Sequence, residues 1–259
     1  MQAHQPHVTL VGAGPGDADL LTLKAVKAIA AATVLLVDDL VSDEVLAHAN
    51  AGARIIYVGK RGGCTSTPQA FIEKLMAQEA MAGENVVRLK GGDPFIFGRG
   101  GEEVEHLQAQ GIAVTVVNGI TAGLAGVTSL GVPLTHREHA HGVLFITGHA
   151  KQGASDSVDW KALGQTATQA KLTLVIYMGV SGAAHLQAEL LHHMPARTPV
   201  AVIHQVSLST QRHAVCELQD LHHTIVREQL ASPSVIVVGD VFKGLLAAQN
   251  ASELQQALG

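Results

Sequence analysis

Short aliphatic runs punctuate the first half of the chain, at Val8–Val11, Val34–Val37, Arg54–Val58, Val86–Leu89 and Val114–Val117. Each is separated from the next by a longer stretch with apolar residues at helical spacing, which predicts βαβ units and a largely parallel sheet. Between the first two runs Leu23, Val26, Ile29 and Ala30 share one helical face, Lys24 and Lys27 point elsewhere, and Thr22 is placed as N-cap. Before the fourth run Ser66-Thr67-Pro68 opens a helix, with Thr67 as N-cap and Pro68 in the first helical position. That helix is predicted to bury Phe71, Ile72, Leu75 and Met76 and to stop at Gly83.

From Asn118 to Arg137 the pattern changes to a helix and a turn-rich crossing segment, and aliphatic runs resume at Val143, Leu172, Val200 and Val235. The expected organisation is an N-terminal α/β domain over residues 6–118, a connecting helix and linker over 119–142, and a C-terminal α/β domain over 143–247. Val200–Ile203 and His213–Leu218 lie close enough in sequence to suggest a mixed second sheet with an antiparallel pair. Ligands of open α/β sheets sit beyond the carboxyl ends of the strands, so a cleft between two such domains is where chemistry is expected.

Composition narrows the class. With 47% hydrophobic and 15% charged residues in 259, the chain has ample material for a core, against disorder, collagen or a disulfide-stapled scaffold. Seventeen Lys and Arg against 22 Asp and Glu leave a formal charge of −5, which argues against a nucleic-acid footprint. Cys64 and Cys216 form no CxxC or finger spacing, fitting a reducing compartment. The start Met1–Pro6 lacks signal-peptide character, and no apolar run reaches the roughly 18 residues of a spanning helix, so a cytoplasmic protein without a membrane contact is expected. Aromatics are only 3% while 27 residues are Gly, so backbone must turn or approach something closely at many places.

Two glycine loops carry the strongest signals. Gly12-Ala-Gly-Pro-Gly-Asp17 ends the first strand but is not a dinucleotide fingerprint: Pro15 removes an N–H, and the helix starts later than a pyrophosphate requires. After the fourth strand comes KGGDPFIFGRGGEE, Lys90 to Glu103. Gly91, Gly92, Gly98, Gly100 and Gly101 let backbone pass close to a bound molecule, and Asp93, Arg99, Glu102 and Glu103 put charge there. His136, His139, His141 and His149 invite a metal reading, but neither HxxxH nor HExxH occurs and no carboxylates stand at matching spacing, so no metal is expected. The doublets His192-His193 and His222-His223 read as solvated faces.

Taken with Thr121-Ala122, Pro133-Leu-Thr-His-Arg137, Ile146–His149, Tyr177–Gly179 and Pro199–Ala201, these loops resemble the tetrapyrrole methylase family, in family order from about Val8 to Val241. KGGDPFIFGRGGEE and PLTHR resemble the members that act on uroporphyrinogen III. At 259 residues, the stand-alone form is expected, without the dehydrogenase and ferrochelatase module of fused siroheme synthases. The resemblance implies two α/β domains, S-adenosylmethionine in the cleft between them, a homodimer, and no metal. It further implies transfer of two methyl groups to C2 and then C7 of uroporphyrinogen III, giving precorrin-1, precorrin-2 and S-adenosylhomocysteine.

The resemblance places the methyl donor against Pro15, the backbone of Gly91, Gly92 and Asp93, Thr121, Ala122, Met178, Ala201 and Ser234, the last standing where the family has alanine. Eight acceptor carboxylates call for cations, and Arg99 and Arg137 match the family's substrate-facing arginines; Lys60, Arg61 and Lys90 are weaker candidates. The family's Tyr-Asp-Arg-Leu-Val-Ser reads here Val37-Asp-Asp-Leu-Val-Ser42, so Asp39 replaces a cation and Val37 a tyrosine. Methylation must be followed by loss of a proton. Arginine is a poor acceptor, with a pKa above ~12, so Arg99 is expected to clamp a carboxylate or stabilise developing charge and Glu102 to orient it or take the proton. The bland reading of Glu102 is a helix-start residue beside Gly100-Gly101. Two alternatives stand: a later precorrin methylase such as the precorrin-4 C11-methyltransferase, and a non-methylating tetrapyrrole-binding or chelatase protein, against which the GGDP loop and Met178 argue.

Overall fold

The computed structural model describes residues 5–59, 67–148 and 158–248. Lys60, Arg61, Cys64, Ser66 and His149 lie outside them. The chain separates into two compact units, Met1–Ala122 and Gly123–Gly259.

The first unit runs β1 (His7–Gly12), α1 (Leu23–Ala31), β2 (Val34–Val37), α2 (Asp43–Leu46), β3 (Arg54–Tyr57), α3 (Gln69–Met81), β4 (Val86–Lys90), α4 (Gly100–Ala109) and β5 (Ala113–Val117). Its five strands are all parallel in the order β3-β2-β4-β1-β5. Alternation along the strands splits the core in two. Val8, Leu10, Val34, Leu36 and Val86 pack with Ile72, Met76 and Leu107 of α3 and α4. Val11, Leu35, Val37, Val87 and Leu89 pack with Ala25, Ile29 and Val45 of α1 and α2. The sheet is therefore doubly wound. The chain leaves β1 toward β2 and leaves β4 toward β5, so the order reverses between the neighbours β1 and β4, the place where open α/β sheets open a crevice.

Two helices differ from their expected faces. Thr22 caps α1 through Ala25 N at 3.1 Å, but Leu23 is 81% exposed and Ala30 exposed, while Ala25, Ile29 and Ala32 are buried. Small alanines let α1 lie close on the sheet, so the inward stripe runs through them rather than through the larger side chains. In α3 the N-cap is Pro68, not Thr67: the Pro68 carbonyl accepts from Phe71 N and Ile72 N. Ile72 and Met76 are buried, Leu75 half-buried and Phe71 56% exposed, because the stripe continues through Ala77 and Ala80. Gly83 ends the helix in the left-handed region at φ +87°.

The second unit follows α5 (Ala122–Ser129) with β6 (Gly142–Thr147), α6 (Trp160–Gln169), β7 (Leu172–Tyr177), α7 (Ala183–Leu191), β8 (Pro199–His204), β9 (Arg212–Glu217), α8 (Leu221–Arg227) and β10 (Ser234–Val238). The sheet order is β6-β7-β10-β8-β9, with β6 and β7 parallel and the remaining pairs antiparallel, including the expected β8–β9 pair. One face carries Leu174, Ile176, Val200, Val202 and Ile236 against Trp160, Leu186 and Leu190 of α6 and α7. On the other, α5 approaches closely: a Cβ at Gly123 would meet Val175 Cγ1 at 2.4 Å, and Gly123 N donates to Tyr177 Oη at 2.8 Å. No helix among the described residues is long and apolar enough to cross a membrane.

Candidate active site

The loops leaving β1, β4 and β5 lock together at the switch point. Ala13 N donates to Lys90 O at 2.8 Å, Gly14 N to Gly92 O at 3.2 Å, and Gly92 N returns to Gly14 O at 2.7 Å. A Cβ at Gly12 would stand 2.5 Å from Gly119 N, and one at Gly119 would stand 2.2 Å from Gly92 O, so only glycine permits this approach. Asp93 closes the cradle: Oδ1 accepts from Phe95 N at 2.9 Å, and Oδ2 from Asn118 Nδ2 at 3.2 Å and Gly119 N at 3.1 Å. Its carboxylate is spent internally, on the loops themselves. Thr121 Cα lies 3.7 Å from the position of a Gly92 Cβ, and Pro15 is half-buried in the same loop set. Ser42 Oγ ties in the β2 loop through Gly16 O at 2.8 Å. The structure thus brings together Pro15, Gly91, Gly92, Asp93 and Thr121, with Ala122 next in chain.

Beyond the cradle, Gly100 N donates to Pro94 O at 3.1 Å, and a Cβ at Gly100 would come within 2.4 Å of that oxygen. The tight turn puts Phe97 and Arg99 at φ +53° and +59°, where side chains are disfavoured. Phe95, Arg99, Gly100, Gly101 and Glu102 line a concavity of about 480 Å³. Arg99 donates from Nε to Glu102 Oε1 at 3.0 Å and from Nη2 to Oε2 at 2.6 Å, both side chains being 54% exposed. Hydrogen bonding to Glu102 raises the Arg99 pKa further above its already high ordinary value. With both oxygens on the fork, Glu102 is set as the guanidinium's orienting partner. It also lies in the first turn of α4, whose N-cap is Arg99 without a side-chain cap.

Glu103 and Lys90, read from sequence as loop charges, are buried. Arg88 Nε and Gln69 Nε2 both donate to Glu103 Oε1, at 3.2 and 3.1 Å, and Lys90 Nζ forms an ion pair with Oε2 at 3.1 Å. Arg88 Nη2 also reaches Asp38 Oδ1 at 2.7 Å. Burial, with Arg88 alongside, pushes the Lys90 ammonium below the ordinary lysine value despite Glu103 and Asp38. Lys90 is therefore not a substrate-facing cation here. Val37, at the family's tyrosine position, is fully buried, and exposed Asp39 packs over Gly59, where a Cβ would meet its Oδ1 at 2.3 Å.

In the second unit Met178 leaves β7 at φ +54° and 47% exposed, and Gln205 and Ser207 follow β8 with φ of +50° and +64°. Non-glycine residues forced into that region cluster at ligand sites. Ala201 has no exposed surface in the middle of β8. The Ser234 hydroxyl turns inward, onto Ala231 O and 3.2 Å from His204 Nδ1. Buried His204 also places Nδ1 2.8 Å from Ala231 O, which makes that nitrogen the protonated one and pins the segment before β10. Nothing in the sequence singled out His204.

Arg137 stands at the tip of a tight turn closed by His136 N to Ala140 O at 2.8 Å and Ala140 N to His136 O at 2.9 Å. It is exposed and lines a second concavity of about 410 Å³ with Thr135, His136, Ala140 and His141. His136, Glu138 and His139 bring ligand-type atoms within 4.8 Å of one another. The two rings are stacked at 4.6 Å with an interplanar angle of 17°, and Glu138 puts beside them the carboxylate that sequence spacing discounted, because the tight turn folds the three residues together.

A doubly wound parallel sheet with glycine loops joined at its switch point, together with a second unit built on a mixed sheet, defines an α/β protein of two units. The chain belongs to the tetrapyrrole (corrin/porphyrin) methylases, whose sequence model matches residues 7–222. It is 49% identical over 241 residues to a uroporphyrinogen-III C-methyltransferase of Pseudomonas aeruginosa, covering 93% of this chain and 96% of that protein. It is 48% identical over 93% of its length to a siroheme synthase of Aeromonas hydrophila, of which it spans half. Among solved structures, a uroporphyrin-III C-methyltransferase of Thermus thermophilus in complex with S-adenosylhomocysteine superposes with a TM-score of 0.76 at 37% identity, covering 91% of this chain and 92% of that one. A cobalt-precorrin-4 methyltransferase superposes with a TM-score of 0.81 at 22% identity, over 91% and 95% of the two chains, and shows the shared fold.

Proposed function

We propose that the chain transfers methyl groups from S-adenosylmethionine to C2 and then C7 of uroporphyrinogen III, giving precorrin-1 and precorrin-2 and releasing S-adenosylhomocysteine. The observation that carries this is the 49% identity running through nearly the whole of both chains. When bound, the donor supplies an already activated electrophile, a methyl on a sulfonium. The protein's task is then to hold an electron-rich pyrrole carbon in line and to stabilise the charge that develops on the ring.

The residues fit that task. Gly12 and Gly119 let the loops close where a Cβ would collide, and Gly92 holds a left-handed φ of +67°, so the cradle presents bare backbone of the kind that grips a flat base and a small polar head. Pro15, Gly91, Gly92, the Asp93 backbone, Thr121 and Ala122 from the first unit, and Met178, Ala201 and Ser234 from the second, are assigned to the donor. Arg99 and Arg137 are assigned to acceptor carboxylates. Glu102 orients the Arg99 fork, and accepts the proton released after methylation once a substrate carboxylate has taken its place on the guanidinium. The reading carries a cytoplasmic homodimer that needs no metal.

Incubation with S-adenosylmethionine and enzymatically made uroporphyrinogen III, followed by mass spectrometry, should show gains of one and then two methyl groups. No gain on that acceptor, with a gain on precorrin-4, moves the chain to a later methylation step. Light scattering reads the dimer, and undiminished turnover in chelator reads the absence of a metal requirement.

A further inference from the structure

Glu103, Arg88 and Lys90 take no part in the chemistry proposed above, yet they are the most deeply buried charged side chains described in the first unit. Their places in the chain are informative. Arg88 and Lys90 close β4, Glu103 lies in the first turn of α4, and the segment 91–99 runs between the two ends that they tie together. The first part of this segment has anchors of its own in the Gly14–Gly92 pairing and the Asp93 clamp. The rest, 94–99, carries two left-handed non-glycine residues, Phe97 and Arg99, and is held by hydrogen bonds that include Ile96 N to Asp93 O and Gly100 N to Pro94 O. The Lys90 stem lies beneath it, with Cε 3.3 Å from where a Gly98 Cβ would stand.

A strained turn persists only where its surroundings over-determine it. A buried charge cluster is a poor route to stability alone, because desolvation consumes much of the Coulombic gain and apolar side chains of similar volume often do better. We infer that Glu103, acting through Lys90 and Arg88, is a positioning residue that fixes the 94–99 turn and so aims the Arg99 guanidinium at the acceptor, leaving the donor cradle to its separate anchors. The inference rests on the proposed assignment of Arg99 to an acceptor carboxylate.

The test is the double variant Lys90→Met/Glu103→Gln. It removes one cation and one anion together, leaves Arg88 opposite Asp38, and keeps an acceptor for Arg88 and Gln69, so no buried charge is left uncompensated. Expected are a Tm and a calorimetric affinity for S-adenosylhomocysteine close to wild type, with KM for uroporphyrinogen III raised about 10-fold and kcat changed less than about 3-fold. Glu103→Asp, which keeps the charge but shortens the reach, should raise the same KM. Unchanged KM in both variants overturns the inference. So does a parallel loss of Tm, donor affinity and turnover, which marks a structural role only. Hydrogen exchange at the Gly100 amide reads the positioning without activity: it should quicken about 10-fold in the double variant, and unchanged exchange overturns the inference. A wild-type protein inert on uroporphyrinogen III overturns the functional reading instead and leaves the exchange result to decide this one.

Discussion

Arg99 sits where glycine would be the comfortable residue. Its φ of +59° costs on the order of 1 kcal/mol, and the exposed pair with Glu102 returns little of it, because solvent screens ion pairs at such sites. A side chain kept there against preference is kept for what it touches. Arg99→Gly should therefore hold or raise stability by up to ~1 kcal/mol in urea titrations while kcat/KM for uroporphyrinogen III falls ~100-fold or more. Arg99→Lys, which retains charge without the planar fork, should fall in between. Retained turnover in the glycine variant would remove Arg99 from the acceptor site. Glu102→Gln tests the neighbouring role: loss of turnover at unchanged acceptor KM is expected if Glu102 takes the proton, and full turnover excludes it as the base. Arg99 and Glu102 stand out in the sequence as charges set among glycines, and Arg137 through the family resemblance; the structure places all three at exposed positions. Lys90 and Glu103 were misread for a physical reason. In β4 the alternation Val87-Arg88-Leu89-Lys90 looks like one apolar and one wet face, but α3 and α4 cover the second face, and the cations are neutralised by a carboxylate 13 to 15 positions downstream that no local pattern connects to them.

At the scale of elements, the strands of the first unit begin and end within about a residue of the aliphatic runs, since parallel strands buried on both faces read as continuous apolar stretches. Helix faces were less legible. In α1 and α3 the inward stripe runs through alanines, and a pattern that weighs large apolar residues more heavily rotates the predicted face toward Leu23 and Phe71. The loops show the reverse: glycine content announced a close approach, but not between which segments. The structure supplies the partners and an internal control. Gly119→Ala places a Cβ among the backbone atoms of Gly92 and Gly12, so the loops must part. A loss of about 1–3 kcal/mol is expected, together with weaker S-adenosylhomocysteine binding by calorimetry. Gly101→Ala meets nothing within 4 Å in the first turn of α4 and should gain roughly 0.5–1 kcal/mol in the same denaturation assay. Equal effects of the two substitutions would show that the cradle is looser than its geometry.

At the scale of the molecule, the two-unit fold does not choose the substrate. A cobalt-precorrin-4 methyltransferase at 22% identity superposes with a higher TM-score than a uroporphyrin-III C-methyltransferase at 37%, so the fold by itself does not separate the two. Charge poses the same question in another form. The whole chain carries −5 and the proposed acceptor eight carboxylates, so at long range the two repel; at contact, exposed arginines on the 94–99 and 136–140 turns attract. These opposed effects respond oppositely to salt. Screening of the net repulsion lowers KM as ionic strength rises, whereas screening of contact pairs raises it. The Debye length is about 10 Å at 0.1 M and 3 Å at 1 M, which puts the contact pairs within reach of screening only at the upper end. On the proposed assignment those pairs supply the binding and the distant charge only slows approach, so KM for uroporphyrinogen III should rise severalfold between ~0.1 and ~0.5 M salt, while KM for the donor stays nearly flat. The slope should shrink in Arg137→Ala, since a removed clamp has nothing left to screen. A KM that falls with salt, or a slope indifferent to Arg137, would mean that the acceptor is held by groups other than the cations assigned here.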